Sequence, residues 1–224
     1  MKRNGFTLSE VLIALAIVGI MAALTLPTLK ANVQKKTIGP TFLKGIETLE
    51  VANRQLLQEQ SAVDIHDFCE NTNYMDCIDR YIEVSEAVDT PTYTQYDLKT
   101  PLTLTNYKSY LTKDGIAFIT NGENKTFVGD PREPYRGTGY EIYIDVNGIS
   151  KKPNALGYDT FLVYVDNIGS TIPYGGRLYK KYTKSSNVLW EASDTECKPN
   201  AEPKGDGKSC SGSIVDNNGQ VLYK

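Results

Sequence analysis

Histidine occurs once in this chain of 224 residues, at His66, and tryptophan also occurs once. A single imidazole excludes His-rich metal centres and leaves no second histidine for a proton relay. Neither G-x-S-x-G nor H-E-x-x-H is present, so the usual settings of serine and zinc hydrolases are missing as well. No enzyme activity is expected, and His66 reads as a loop or helix-surface residue. Positive charge is not in excess. Lys and Arg number 24 against 27 Asp and Glu, a formal net charge of −3, so no bulk field exists to hold nucleic acid. The four cysteines include no C-x-x-C pair, which argues against a structural zinc site. No cofactor is required, and no internal repeat is evident.

What is present is concentrated at the front. Phe6 to Leu26 reads FTLSEVLIALAIVGIMAALTL, 21 residues with Glu10 as the single charge. At 1.5 Å per residue such a helix spans about 31 Å, the thickness of a bilayer's hydrocarbon core. Lys2 and Arg3 precede it and hold the extreme N-terminus in the cytoplasm, which places everything after Pro27 beyond the membrane. A conventional secretory signal has a shorter apolar core and a small-x-small cleavage site, and Met21-Ala22-Ala23-Leu24 matches that poorly. A plain signal anchor explains the length but gives Glu10 no use. A carboxylate in hydrocarbon costs about 2.5–3.5 kcal/mol on insertion scales, which makes it a functional candidate.

Gly5-Phe6-Thr7-Leu8-Ser9-Glu10-Val11-Leu12 followed by an uninterrupted apolar run resembles the class III signal of type IV pilins and type II secretion pseudopilins. The resemblance is dense over about the first 30 residues and fades after them. It implies cleavage between Gly5 and Phe6 by a prepilin peptidase, N-methylation of Phe6, and use of Glu10 in filament assembly. Glycine before the scissile bond lets a protease approach the backbone closely. Pro27 is similar to the proline that often kinks the pilin helix. The implied partners are other copies and pilin-like subunits in a helical filament, the prepilin peptidase, an inner-membrane assembly platform and the lipid bilayer. Loss of Lys2 and Arg3 with the leader takes the formal charge from −3 to −5.

The expected organisation is a leader over 1–5, a membrane-spanning and filament-core helix over 6–26, a helical stalk over 27–60, an irregular disulfide-pinned connection over 61–91, and an antiparallel sheet domain over 92–224. Pro27 is expected to bend the helix and Gly39-Pro40 to break it. Phe42, Ile46, Leu49, Asn53 and Leu56 recur at spacings of four and three, an amphipathic stripe suited to packing on a sheet. Short helical character is expected near Tyr74–Tyr81. Tyr107–Thr112 and Ile116–Thr120 around Lys113-Asp114-Gly115 read as a hairpin. Tyr140–Val146 and Thr160–Val165 alternate as strands. Ser213-Ile214-Val215 and Val221-Leu222-Tyr223 read as two more, joined at Asn218-Gly219. Helix first and antiparallel strands later give an α+β, pilin-like fold in which the long N-terminal helix packs on the sheet.

Outside the cytoplasm an even cysteine count reads as disulfides. Four cysteines allow three connectivities, and two local bridges, Cys69–Cys77 and Cys197–Cys210, are the expected pairing. The second also resembles the disulfide-bounded loop of many type IV pilins. Asp145-Val146-Asn147-Gly148 with Pro153-Asn154-Ala155-Leu156-Gly157-Tyr158-Asp159 is similar to segments of several pilin-like proteins. Asp145, Asn147 and Asp159 are candidate Ca²⁺ ligands. Their alternative role is local: Asn and Gly make turns and Asp caps them. The expected function is a structural filament subunit. The alternative is a membrane-anchored extracytoplasmic binding or adhesion module, with Tyr93, Tyr96, Tyr107, Tyr110, Tyr135 and Tyr140 as contact surface.

Overall fold

A computed structural model of the chain describes residues 7–69, 73–126, 138–175, 197 and 205–223, with side chains for all of these except 26–35 and 124–126. Two compact units divide it, Met1–Thr37 and Ile38–Lys224. Helix α1 (Leu8–Glu59, 52 residues) contributes to both.

In the first unit, Leu8–Thr25 is long and apolar enough to cross a membrane, and none of it is buried against protein. It is apolar on every side rather than striped, as a segment solvated by lipid must be. The expected break at Gly39-Pro40 does not occur, since α1 runs unbroken from Leu8 to Glu59. Proline removes one backbone N–H from the helix. At Pro40 the neighbours are held by packing: Gly39 and Phe42 are both buried, and a Cβ at Gly39 would lie 1.7 Å from the Gly219 carbonyl oxygen.

In the second unit the stripe of α1 turns inward. Phe42, Leu49, Ala52, Asn53 and Leu56 are buried and Ile46 is partly buried, while Lys44, Glu47, Arg54 and Gln55 face out. The sheet runs in the order β1 (Val84–Asp89), β4 (Lys108–Thr112), β5 (Ala117–Thr120), β7 (Thr138–Asp145), β8 (Thr160–Asp166), β9 (Thr171–Pro173), and β6 (Asn124–Thr126) also pairs with β7. All these pairings are antiparallel, with Tyr110 opposite Phe118 and Ile142 opposite Val163. Period-two alternation sorts the strand residues onto two faces. Ile142, Ile144, Phe161 and Val163 join the core under α1, where the Phe42 and Phe161 rings sit 4.8 Å apart. Tyr143, Leu162 and Tyr164 join a second core on the opposite face. There they meet Tyr93 of a small separate hairpin, β2 (Tyr93–Thr94) with β3 (Pro101–Leu102).

Two sequence expectations need correction. The stretch 61–91 is not wholly irregular. After α2 (His66–Cys69), α3 (Tyr74–Ile78) and a 3-10 turn (Asp79–Tyr81), it supplies edge strand β1. The exposed Ser85, Glu86 and Ala87 hide its pattern, because only one side of an edge strand is paired and little of its surface is covered. The C-terminal residues 213–215 are not a strand. They lie in helix α4 (Cys210–Asp216). Asn218-Gly219 ends that helix instead of turning a hairpin: Asn218 is left-handed (φ 54°), Gly219 N–H donates to the Ile214 carbonyl, and Asn218 N–H donates to that of Val215. This is a Schellman closure, for which Asn is a common residue in the left-handed position.

Candidate functional site

The N-terminus of α1 carries a reciprocal cap. Thr7 donates its backbone N–H (2.8 Å) and its hydroxyl (2.7 Å) to Oε2 of Glu10, and Glu10 N–H points back at Thr7 Oγ1 at 3.4 Å. T-x-x-E is the capping-box spacing, in which the N3 carboxylate reaches the N-cap N–H. The first turn of a helix also favours a negative charge. The lone carboxylate of the apolar segment is therefore hydrogen-bonded by its own chain and has a structural role at the helix start. Sequence reasoning singled out Glu10 and missed Thr7, although the S/T-x-x-E signal stood in view. Gly5 and Phe6 lie outside the described residues, as do Tyr135 and most of the Cys197–Cys210 loop.

The structure joins Cys69 to Cys77, with Cα atoms 5.9 Å apart, and Cys197 to Cys210, with Cα atoms 5.0 Å apart. Among the described residues no cysteine is free. The first bridge ties α2 to α3. The second fixes the start of α4, where Cys210 is fully buried. Beside α3, Tyr74 donates to Asn53 Oδ1 at 2.7 Å and Asn53 Nδ2 reaches the Gly169 carbonyl. The one polar residue of the α1 stripe, itself buried, thus has a partner for each end of its amide.

Asp145, Asn147 and Asp159 do come together, at the loop between β7 and β8. Asp145 Oδ1 accepts the N–H groups of Asn147 (3.1 Å) and Gly148 (2.9 Å), and its Oδ2 accepts the Tyr93 hydroxyl at 2.7 Å. Asp159 Oδ1 accepts Ala155 N–H and the Thr160 hydroxyl, and its Oδ2 accepts Asn154 N–H and Asn147 Nδ2. Every carboxylate oxygen already receives a hydrogen bond, and a metal ion would have to displace these donors. The described residues include no group of three or more His, Cys, Asp or Glu able to hold a metal ion. The geometry favours turn-capping for this trio. Burial, then the neighbouring charge of Asp159, pushes the Asp145 carboxyl up to about 7, and burial also raises that of Asp159. Tyr93 is far away in sequence, and nothing local marked it as a partner.

The proposed tyrosine contact surface is corrected by burial. Tyr93, Tyr110 and Tyr140 are 2 % exposed or less, and Tyr96 and Tyr107 are partly buried. Tyrosine serves mainly as core, with the Tyr74 and Tyr140 rings stacked 4.4 Å apart. His66 opens α2, partly buried. A cleft beside α1, lined in part by Lys44, Ile82, Glu83, Asp114 and Phe118, holds its charges in ion pairs, Lys44 with Asp114 and Lys113 with Glu83.

Residues 1–26 match the family model of the prokaryotic N-terminal methylation motif, so the chain carries a type IV prepilin-like signal. Comparison with curated proteins and with solved structures gave no match.

Proposed function

We propose that this chain, which carries a type IV prepilin-like signal, is a structural subunit of a type IV pilus or a type II secretion pseudopilus. The observation that carries the proposal is the motif over residues 1–26 on a helix segment with no protein-buried residue and one internal carboxylate. A helix that buries nothing in its own protein must be covered by lipid or by other helices. Cleavage between Gly5 and Phe6 by a prepilin peptidase, with methylation of Phe6, releases a subunit anchored by a single pass, its N-terminus cytoplasmic and its sheet domain on the outer side. In the filament, equivalent segments of neighbouring subunits replace lipid around Leu8–Thr25. Glu10 then meets the new α-amine of Phe6 in an adjacent copy, a contact worth more in low dielectric than in water. That pairing sets axial register, because any other offset leaves a carboxylate unmatched in an apolar core.

The test begins with the native chain. N-terminal analysis should find methylated Phe6, and Gly5→Trp should leave the precursor uncleaved in the membrane. Glu10→Leu should insert and be cleaved, yet stay in the membrane fraction when filaments are sheared from cells also expressing the unaltered chain. Entry of the Leu variant into filaments at the unaltered level would sink the assembly role of Glu10. The anchored binding module would then be favoured.

A further inference from the structure

The surface of the second unit carries few large apolar side chains. Among the described residues outside the apolar stretch of α1, they are Val51, Val63, Phe68 and Leu98. Val51 stands singly on the outer side of α1, and an isolated apolar residue there is ordinary. Val63 (72 % exposed) and Phe68 (41 % exposed) lie close in sequence where the chain passes from α1 into α2. Leu98 (48 % exposed) stands at the tip of the β2–β3 hairpin.

Leu98 is also held in a conformation that leucine seldom takes. Its φ is 59°, in the left-handed region, where a Cβ crowds the following carbonyl. The turn around it enforces this. Leu98 N–H donates to the Gln95 carbonyl and Gln95 N–H to that of Thr100. Asp97 accepts the Lys99 and Thr100 N–H groups on Oδ1 and the Thr100 hydroxyl on Oδ2. Glycine or asparagine would fit such a turn with less strain. Leucine instead presents an apolar side chain to water from a costly backbone, the pattern of a contact residue.

We propose that the Leu98 tip of one copy seats against Val63 and Phe68 of the next, joining copies of this chain through two different surfaces. The proposal rests on the reading of the chain as a filament subunit and names a contact between its sheet domains. The two features lie on opposite sides of the sheet. The β2–β3 hairpin covers the face of Tyr143, Leu162 and Tyr164. Ile65 and Cys69, on either side of Phe68 in sequence, belong to the core under α1. Leu98 and Phe68 of one chain are therefore kept apart by the sheet. A contact between unlike surfaces on opposite sides can repeat from copy to copy, as a filament requires. Charge agrees with this pairing. Lys99 beside Leu98 and Asp67 beside Phe68 are both exposed, while the Asp97 carboxylate is turned into its own loop. Opposite charges next to an apolar contact orient it and disfavour the wrong docking.

The experiment uses the full chain in cells. Two differently tagged copies are expressed together, one Leu98→Cys and the other Val63→Cys, and oxidised with copper phenanthroline before lysis. A disulfide-linked dimer carrying both tags is expected, and one chain with both substitutions should give a ladder of multimers. Neither substitution alone should cross-link. Leu98→Asn, which relieves the backbone strain, should unfold in micelles at no lower urea concentration than the unaltered chain. It should nevertheless be depleted about tenfold from filaments sheared from cells that also express the unaltered chain, the loss expected for one apolar contact. Absence of the two-tag dimer, a disulfide between two Leu98→Cys copies, earlier unfolding of Leu98→Asn, or its entry into filaments at the unaltered level would overturn the contact. The two-tag dimer in cells that yield no sheared filament would support the contact and sink the filament reading, and filaments without that dimer would do the reverse.

Discussion

Helix α1 contains two stretches of similar length and opposite fate. Leu8–Thr25 buries none of its residues, and Leu8, Leu15 and Leu24 are each more than 60 % exposed. From Ile38 to Glu59 the helix buries Phe42, Leu49, Ala52 and Leu56 completely or nearly so. The difference lies in the arrangement of apolar residues around the helix. In the second stretch, charges separate the apolar positions into one stripe, and one stripe matches one sheet face. In the first, no polar face exists, so no single protein surface could satisfy it. A helix of the first kind is stabilised by its surroundings and one of the second kind by its own domain.

The sharpest way to break this comparison is a pair of truncations in one helix. Phe42→Ala should lower the unfolding free energy of the sheet domain by about 3–5 kcal/mol, the range for buried aromatic truncation. Leu15→Ala should leave it within about 0.5 kcal/mol. Urea unfolding of the full chain in micelles, read by the single tryptophan or by near-UV circular dichroism, measures both. A similar loss for Leu15→Ala would show that the first stretch packs on the domain after all.

Next in size is the covalent pin. Replacing Cys69 and Cys77 together by Ser should cost about 2–3 kcal/mol by loop-closure entropy, measured on the same transition. A cost near zero would mean that α2 and α3 are already ordered by Tyr74 and Asn53. The C-terminal closure tests a smaller term. Asn218→Val puts a β-branched residue in the left-handed region and should cost about 1–2 kcal/mol, whereas Asn218→Gly should be close to neutral. Equal effects of the two would remove the Schellman reading.

The smallest effect belongs to the membrane stretch. Thr7→Val removes the hydroxyl of the capping box and should weaken the first turn by about 1 kcal/mol. The expected readout is roughly fivefold faster hydrogen exchange at the first amides of α1 in micelles, with the unfolding of the sheet domain unchanged. Unaltered exchange would show that the backbone N–H of Thr7 alone holds Glu10.

Much of the fold was legible because its signals are local. The stripe through Phe42 and Leu56, the Lys113-Asp114-Gly115 turn between β4 and β5, and the alternation in β7 and β8 each need only a few neighbouring residues to be recognised. The failures share a cause. Strand β1 lies at an edge and carries an exposed, mixed pattern. Asn218-Gly219 suits a hairpin and a helix end equally well, and the choice fell to the helix because Cys210 and Ile214 are drawn into the core. Gly39-Pro40 reads as a break until Gly219 packs against it.

The primary structure alone determined the two-part character of the molecule. A 21-residue apolar run with one carboxylate, preceded by Lys2 and Arg3, specifies its environment by composition and length, because partition between water and hydrocarbon sums over residues without regard to their partners. Its T-x-x-E start is equally self-contained, since every atom of the cap lies within one turn. The tertiary structure decided which tyrosines are core, which hydroxyl Asp145 meets, and whether Asn53 is satisfied. Those outcomes depend on groups separated by 52 residues between Tyr93 and Asp145 and by 116 between Asn53 and Gly169. Hydrogen bonds and buried contacts act over a few ångströms of space, so only the completed fold brings such groups within range of each other.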